Sequence, residues 1–120
     1  MTTASEVIAG RRREQQALLD RARQFSAELP SELDVRVVVV FGSVARGDFH
    51  DASDVDVLVI AQDLPVRAPE RNARLGIPPP RVEFVAWTPD DWERERRRGN
   101  PICTDAERYG VVIRGALPCG

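Results

Sequence analysis

Residues 41–60 read FGSVARGDFHDASDVDVLVI, and this stretch predicts both the fold and the site of the chain. The β-branched run over residues 35–41 is typical of a buried strand. Gly42 and Ser43 stand where that strand would turn, and a second apolar run begins at Val55. The pattern therefore predicts two neighbouring strands joined by a short polar connection.

The connection begins with a turn over residues 42–47, which we call the glycine turn. Ser43 is expected to cap a single helical turn that Gly47 would end. Backbone N–H groups at the start of such a turn have no partner within the helix, so they favour an anion such as a phosphate. Gly42 would permit close approach of that phosphate, and Ser43 would offer its N–H and hydroxyl as donors.

Arg46 lies within the glycine turn, beside the predicted phosphate site. Arginine is a good bidentate partner for phosphate, so a phosphate contact is one expectation. A salt bridge to Asp48 or Asp51 is the other, and the sequence leaves both open. All 17 basic residues of the chain are arginines, so no lysine is available to hold a phosphate.

The second predicted strand opens with the triplet Asp54-Val55-Asp56. Side chains alternate along a strand, so Asp54 and Asp56 are expected on one face, about 6.6 Å apart along the backbone. Two carboxylates so placed repel each other unless a cation lies between them. Hard oxygen ligands next to a phosphate suit Mg²⁺. The glycine turn and the acidic triplet together predict a divalent-metal nucleotide site.

A GS pair, ten residues, then DVD between apolar strands resembles the signature of the DNA polymerase β-type nucleotidyltransferase superfamily. The form GSVARG…SDVDVLVI most resembles its minimal nucleotidyltransferases. The resemblance is clear over residues 35–85 and looser through RRRGNPICTDAERYGVVIRG. It implies an α/β (α+β) fold with a small mixed sheet of about four strands flanked by helices. One domain is expected over residues 1–120, with an N-terminal helix at 5–29, a catalytic core at 35–88, and a helix and a strand at 89–115.

The resemblance also implies a third carboxylate on the third predicted strand, RVEFVAWT at residues 81–88. The matching position is Glu83, where the family commonly has Asp. A glutamate at a sheet edge paired with an arginine is the alternative. The catalytic and metal-binding residues implied are Asp54, Asp56 and Glu83, with two Mg²⁺ ions. The nucleotide- and phosphate-binding residues implied are Gly42, Ser43, Arg46 and Ser53.

The activity implied by the resemblance is transfer of a nucleoside monophosphate, AMP from ATP, to a hydroxyl group. Minimal members resemble the antitoxin half of a toxin–antitoxin pair whose partner is a helical HEPN protein, and a partner tyrosine is the expected acceptor. Two alternatives stay open: a non-catalytic nucleotide- or partner-binding antitoxin module, and an aminoglycoside-like small-molecule nucleotidyltransferase. The intact DVD triplet argues against the non-catalytic module, which has no need for an exposed acidic pair. A homo-oligomer or a hetero-complex is compatible with each reading.

Charge, cysteine spacing and hydropathy indicate which kinds of protein this chain does not resemble. The net charge of the 120 residues is −2, so no general basic field would recruit nucleic acid. Cys103 and Cys119 have neither metal-ligand nor redox-motif spacing. No apolar segment resembles a signal peptide or a membrane span, so we expect a cytoplasmic protein.

Two segments leave the local structure undecided. Gly10 weakens the first part of the N-terminal helix, so the firm helix is expected to begin near Arg11. Residues 61–80 have the length of a crossover between strands, with a short helix before Gly76, but a lid over the site is equally compatible.

Overall fold

The computed structural model describes residues 3–118 of the chain. The elements in chain order are α1 (Ala4–Glu28), β1 (Asp34–Phe41), α2 (Gly42–Arg46), β2 (Val55–Gln62), α3 (Ala68–Leu75), β3 (Val82–Trp87), α4 (Pro89–Arg97), α5 (Pro101–Tyr109) and β4 (Val111–Gly115). Within the described residues, no helix combines the length and the apolar character that crossing a bilayer requires.

The four strands form one mixed sheet in the order β3-β2-β1-β4. β1 runs antiparallel to both β2 and β4, whereas β2 and β3 are parallel. The expected fold, a small mixed sheet of about four strands with flanking helices, is therefore confirmed. The crossover between the parallel strands contains α3, so the structure resolves residues 61–80 as a strand–helix–strand return.

Helices cover both faces of the sheet. α1 packs on one face, where Phe25 of the helix stacks against Phe84 of β3. α4 and α5 pack on the other, where Trp92 and Cys103 lie against the strands. Because successive side chains of a strand point to opposite faces, a strand covered on both faces needs apolar residues at every position. This explains the uninterrupted run Val37–Val40, in which each residue is buried.

The N-terminal helix is continuous through Gly10. α1 spans Ala4–Glu28, close to the predicted range 5–29, so only the expected firm start near Arg11 is wrong. Thr3 and Glu6 form a reciprocal capping box that satisfies the first backbone N–H groups. This cap stabilises the first turns, where a glycine costs only about 1 kcal/mol relative to alanine.

A buried ion-pair network joins α3, β3 and α4. The Asp91 carboxylate accepts hydrogen bonds from Arg71 at 2.7 Å, from Arg94 at 2.8 Å and from the Thr88 N–H at 2.9 Å. Arg71 also donates to the carbonyl of Ala86 on β3 at 3.0 Å. Burial disfavours the charged carboxylate, but the hydrogen bonds from Thr88, Arg71 and Arg94 outweigh it and lower the pKa of Asp91 to about 2.

We expect Asp91→Asn to lower the free energy of unfolding at pH 7 by about 2–3 kcal/mol, because a carboxylate with a depressed folded pKa stabilises the protein above its unfolded pKa. That contribution is lost as the pH falls from about 4 through the folded value near 2. Urea unfolding across this pH range measures the gap, which is the difference in the free energy of unfolding between wild type and variant. The control is Asp90→Asn, an exposed neighbour in the same helical turn. A gap that stays constant down to pH 2 would contradict the assignment.

Candidate functional site

Two of the three candidate carboxylates face each other across neighbouring strands. Asp56 on β2 is the register partner of Glu83 on β3. Residues at the same register in parallel strands point to the same face, here the face covered by α4 and α5. Asp56 is half-buried and Glu83 is exposed. Asp54 lies one residue before β2 begins, where it is exposed.

The electrostatics show that these carboxylates act on one another. Burial raises the pKa of Asp56, and the nearby charges of Glu83 and Asp54 raise it further. Arg46 acts in the opposite direction, and a carboxylate from α5, Asp105, adds to the rise. Asp56 therefore lies at the centre of a cluster of negative charge, formed with Asp54 and Glu83, that a cation would stabilise.

Glu83 is not explained by a salt bridge. β3 is an edge strand, as the structural alternative required. No arginine among residues 3–118 pairs with Glu83, however, so the paired-glutamate interpretation has lost its main support. The exposed carboxylate is available for a substrate or a cation.

The fit of a divalent cation rests on the chemistry of these donors. Carboxylate oxygens are the ligands that Mg²⁺ prefers, and Asp54, Asp56 and Glu83 would hold it. Across residues 3–118, however, no three His, Cys, Asp or Glu side chains stand close enough together to form a metal site. The three carboxylates thus offer suitable donors without forming a ready three-ligand site, and their roles as metal ligands stay predictions.

Phe41, the last residue of β1, is the register partner of Asp56 in β2. The glycine turn starts at the next residue, Gly42, and therefore begins beside Asp56. Gly42 has φ +78°, a left-handed conformation that favours glycine. A Cβ atom placed on Gly42 would lie 2.5 Å from Oδ2 of Asp56. A side chain on Gly42 would therefore be strained in this conformation and would displace the Asp56 carboxylate.

The helix of the glycine turn differs in one detail from the expectation. α2 starts at Gly42, so Phe41 occupies the N-cap position and Ser43 lies inside the first turn. The expected capping role of Ser43 is therefore wrong. Gly47 ends the helix in the left-handed conformation at φ 89°, as the sequence predicts.

Asp105, which was not predicted from the sequence, contacts the glycine turn. The Gly42 N–H donates to the carboxylate of Asp105 at 2.5 Å, and Arg46 donates to the same carboxylate at 3.0 Å. Asp105 belongs to α5, and its side chain is 18% exposed. No local pattern marks Asp105, because the contact depends on how α5 packs against α2.

The sequence leaves open whether Arg46 contacts a phosphate or a neighbouring carboxylate, and the structure shows carboxylate partners. Its guanidinium forms salt bridges to Asp48 at 3.1 Å and to Asp105 at 3.0 Å. The predicted bridge to Asp48 is therefore present, whereas the one to Asp51 is not among the ion pairs of residues 3–118. Contact between Arg46 and a phosphate stays a prediction.

Ser53, the remaining candidate for phosphate binding, is engaged within its own loop. Its hydroxyl accepts a hydrogen bond from the His50 N–H at 2.8 Å, and its own N–H donates to the His50 carbonyl at 2.9 Å. The guanidinium of Arg81 donates to the Ser53 carbonyl. These contacts close the loop ahead of Asp54, which explains a buried serine without a phosphate.

Two cavities flank the sheet. One of about 390 Å³ lies beside α1, between Arg21, His50 and Arg81, away from the face that carries Asp56. The other, of about 500 Å³, is bordered by Val85, Trp87 and Ile102 on the same face as Glu83. Of these two, the second shares a face with the carboxylates.

The chain resembles known proteins in sequence and in fold. A family model described as "Nucleotidyltransferase domain" matches residues 20–113. A Methanocaldococcus jannaschii protein named "putative protein adenylyltransferase" is 34% identical over 50 residues, which are 40% of this chain and 50% of that protein. The chain thus aligns with about half the length of that relative.

A solved structure shares the fold. It is the crystal structure of "a putative nucleotidyltransferase" from Sulfolobus solfataricus, with a TM-score of 0.57 and 24% sequence identity. The match covers 85% of this chain and 84% of the other.

We expect Gly42→Ala to destabilise the protein by about 2–3 kcal/mol, because it combines left-handed strain with a side-chain clash against Asp56. Gly99→Ala is the control, since Gly99 has a similar φ of +74° but open space around it. It should cost about 1–2 kcal/mol, which is the strain of the left-handed conformation alone. Urea unfolding followed by tryptophan fluorescence measures both. Equal costs would show that the space beside Asp56 is not what requires a glycine.

Proposed function

Since the chain belongs to the nucleotidyltransferase domain family, we propose that it transfers a nucleoside monophosphate, AMP from ATP, to a hydroxyl group of a partner protein. The observation that carries this proposal is the adjacency of the glycine turn to the carboxylate cluster. Gly42 lies against Asp56, and Asp56 lies opposite Glu83. Donors for phosphate oxygens and ligands for a divalent cation therefore meet at one end of the sheet.

The reaction needs an oxygen nucleophile and a leaving pyrophosphate. The acceptor hydroxyl oxygen attacks the α-phosphorus and forms the new O–P bond. The bond between the α-phosphorus and the oxygen that bridges to the β-phosphorus breaks in line with it, and pyrophosphate leaves. Mg²⁺, when bound, would lower the pKa of the attacking hydroxyl and neutralise charge on the leaving oxygens. Glu83, which is exposed on the edge strand, would accept the hydroxyl proton.

Other residues of the chain would orient the nucleotide. The Gly42 N–H and the Arg46 guanidinium are the donors for the β- and γ-phosphates, with Ser43 beside them in the first turn of α2. The cavity of about 500 Å³ beyond Glu83 offers apolar contact through Val85, Trp87 and Ile102 and polar contact through charged side chains of α3 and α4. Val85 is two residues beyond Glu83, about 7 Å along the strand, so the cavity lies within reach of a nucleotide-sized substrate held at the carboxylates.

The proposal extends to the acceptor and to the biological role. The relative named as a protein adenylyltransferase supports a protein hydroxyl as acceptor. The resemblance to minimal nucleotidyltransferases supports an antitoxin that modifies a tyrosine of a helical HEPN partner in the cytoplasm.

One observation favours a second candidate, a non-catalytic nucleotide- or partner-binding module. The carboxylates among residues 3–118 do not form a ready three-ligand metal site. Such a module would neutralise its partner by contact alone. The two candidates differ in whether the partner is covalently changed.

The first test is metal dependence of nucleotide binding. A few carboxylates alone hold Mg²⁺ weakly, so we expect Mg²⁺ to bind only together with the triphosphate. Calorimetry with Mg²⁺ and a non-hydrolysable ATP analogue should show binding by wild type and at least tenfold weaker binding by the Asp54→Asn, Asp56→Asn double variant. Equal affinities would remove these carboxylates from the site.

The second test separates the enzyme from the binding module. A candidate partner, a helical HEPN protein, is incubated with this chain, ATP and Mg²⁺, and is then weighed intact by mass spectrometry. We expect an AMP adduct with wild type and at least a 100-fold slower reaction with Asp56→Asn, because the half-buried carboxylate at the centre of the cluster is lost. Asp63→Asn is the control, since Asp63 is exposed just beyond the far end of β2. Full neutralisation of the partner without any adduct would establish the binding module instead.

A further inference from the structure

The donors that the glycine turn would offer to a nucleotide are already bound to a carboxylate of the chain itself. Asp105 accepts from the Gly42 N–H at 2.5 Å through one oxygen and from Arg46 at 3.0 Å through the other. Its partners precede it by 63 and 59 residues, so the contact exists only in the folded chain. The carboxylate thus uses both oxygens on the two donors.

A phosphate and Asp105 cannot use these donors together. A backbone N–H has one hydrogen and makes one strong hydrogen bond, so a phosphate oxygen at Gly42 must replace the Asp105 oxygen. A carboxylate left beside a triphosphate would also repel it. Binding of a nucleotide at the glycine turn therefore requires Asp105 to leave.

The surroundings allow this exchange. Arg46 keeps its salt bridge to Asp48 at 3.1 Å when it releases Asp105, so its side chain stays oriented toward the turn. A cavity of about 300 Å³ on the outer side of α5 is bordered by Asp105, Thr104 and Tyr109. A rotated Asp105 side chain has open space to enter there without any movement of α5.

We propose that Asp105 is a built-in competitor of the nucleotide: it occupies the phosphate donors of the free protein, is displaced by the triphosphate, and returns as pyrophosphate leaves. This inference rests on the proposed function and adds a residue that sets nucleotide affinity. A simple clamp between α5 and α2 would make the opposite prediction, because removing a clamp weakens the site.

The test is the affinity for a non-hydrolysable ATP analogue with Mg²⁺, measured by calorimetry. Asp105→Asn keeps the size of the side chain and removes its charge, so the competing bonds lose their charge-assisted strength. We expect its Kd to be about tenfold lower than that of wild type. Glu107→Gln is the matched control, because it removes one exposed carboxylate of α5 that pairs with Arg96 outside the site. Its Kd should equal that of wild type.

Two further measurements keep the outcomes distinct. Inorganic tripolyphosphate with Mg²⁺ should show the same gain for Asp105→Asn, because the competition concerns phosphate alone. Asp105→Ser, whose side chain is too short to span both donors, is measured as well in case the asparagine variant melts early. Nucleotide binding by wild type that neither variant strengthens would overturn this inference and leave the proposed function intact. Binding by neither wild type nor variants would overturn both.

Discussion

The pairing of Phe41 with Asp56 in the antiparallel ladder of β1 and β2 is the constraint on which the site depends. It sets the start of the glycine turn beside the carboxylate, at the end of β1 and the beginning of β2. The same register along β2 and β3 brings Glu83 next to Asp56. A shift of either pairing by one residue would turn one carboxylate to the opposite face, toward α1. The valines buried on both faces oppose such a shift, because a slipped strand would bring its polar residues into the core.

The site also depends on the balance between its carboxylates and the arginine beside them, Arg46. Asp54, Asp56 and Glu83 form a cluster in which burial and mutual repulsion raise the pKa of Asp56. Arg46 is the cation that lowers it, yet Asp48 and Asp105 share the guanidinium. The free protein therefore carries more negative than positive charge at this end of the sheet. A metal-bound triphosphate would bring both the cation that the cluster lacks and the anion that the glycine turn accepts, which explains why we expect metal and nucleotide to bind together.

Much of the fold could be predicted from local patterns. The valine run, the second apolar run at Val55 and the strand around Phe84 each appear as strands near their predicted bounds. Gly47 ends α2 as the glycine turn predicts. The errors also have local causes: the capping box at Thr3 stabilises the first turns of α1, which continue through Gly10, and α2 begins at Gly42, which places Ser43 inside its first turn.

The sequence by itself determined the strands, the glycine turn and the acidic triplet, because each follows from side-chain periodicity or from backbone preferences over a few neighbouring residues. Only the tertiary structure decided what those groups contact. Three features depend on packing between elements far apart in the chain: the approach of Asp105 to Gly42 and Arg46, the closeness of Gly42 to Asp56, and the lack of an arginine partner for Glu83 among residues 3–118. The physical reason is that hydrogen bonds and charge repulsion act over a few ångströms, so they depend on how α5, β2 and β3 come together rather than on the order of residues along the chain.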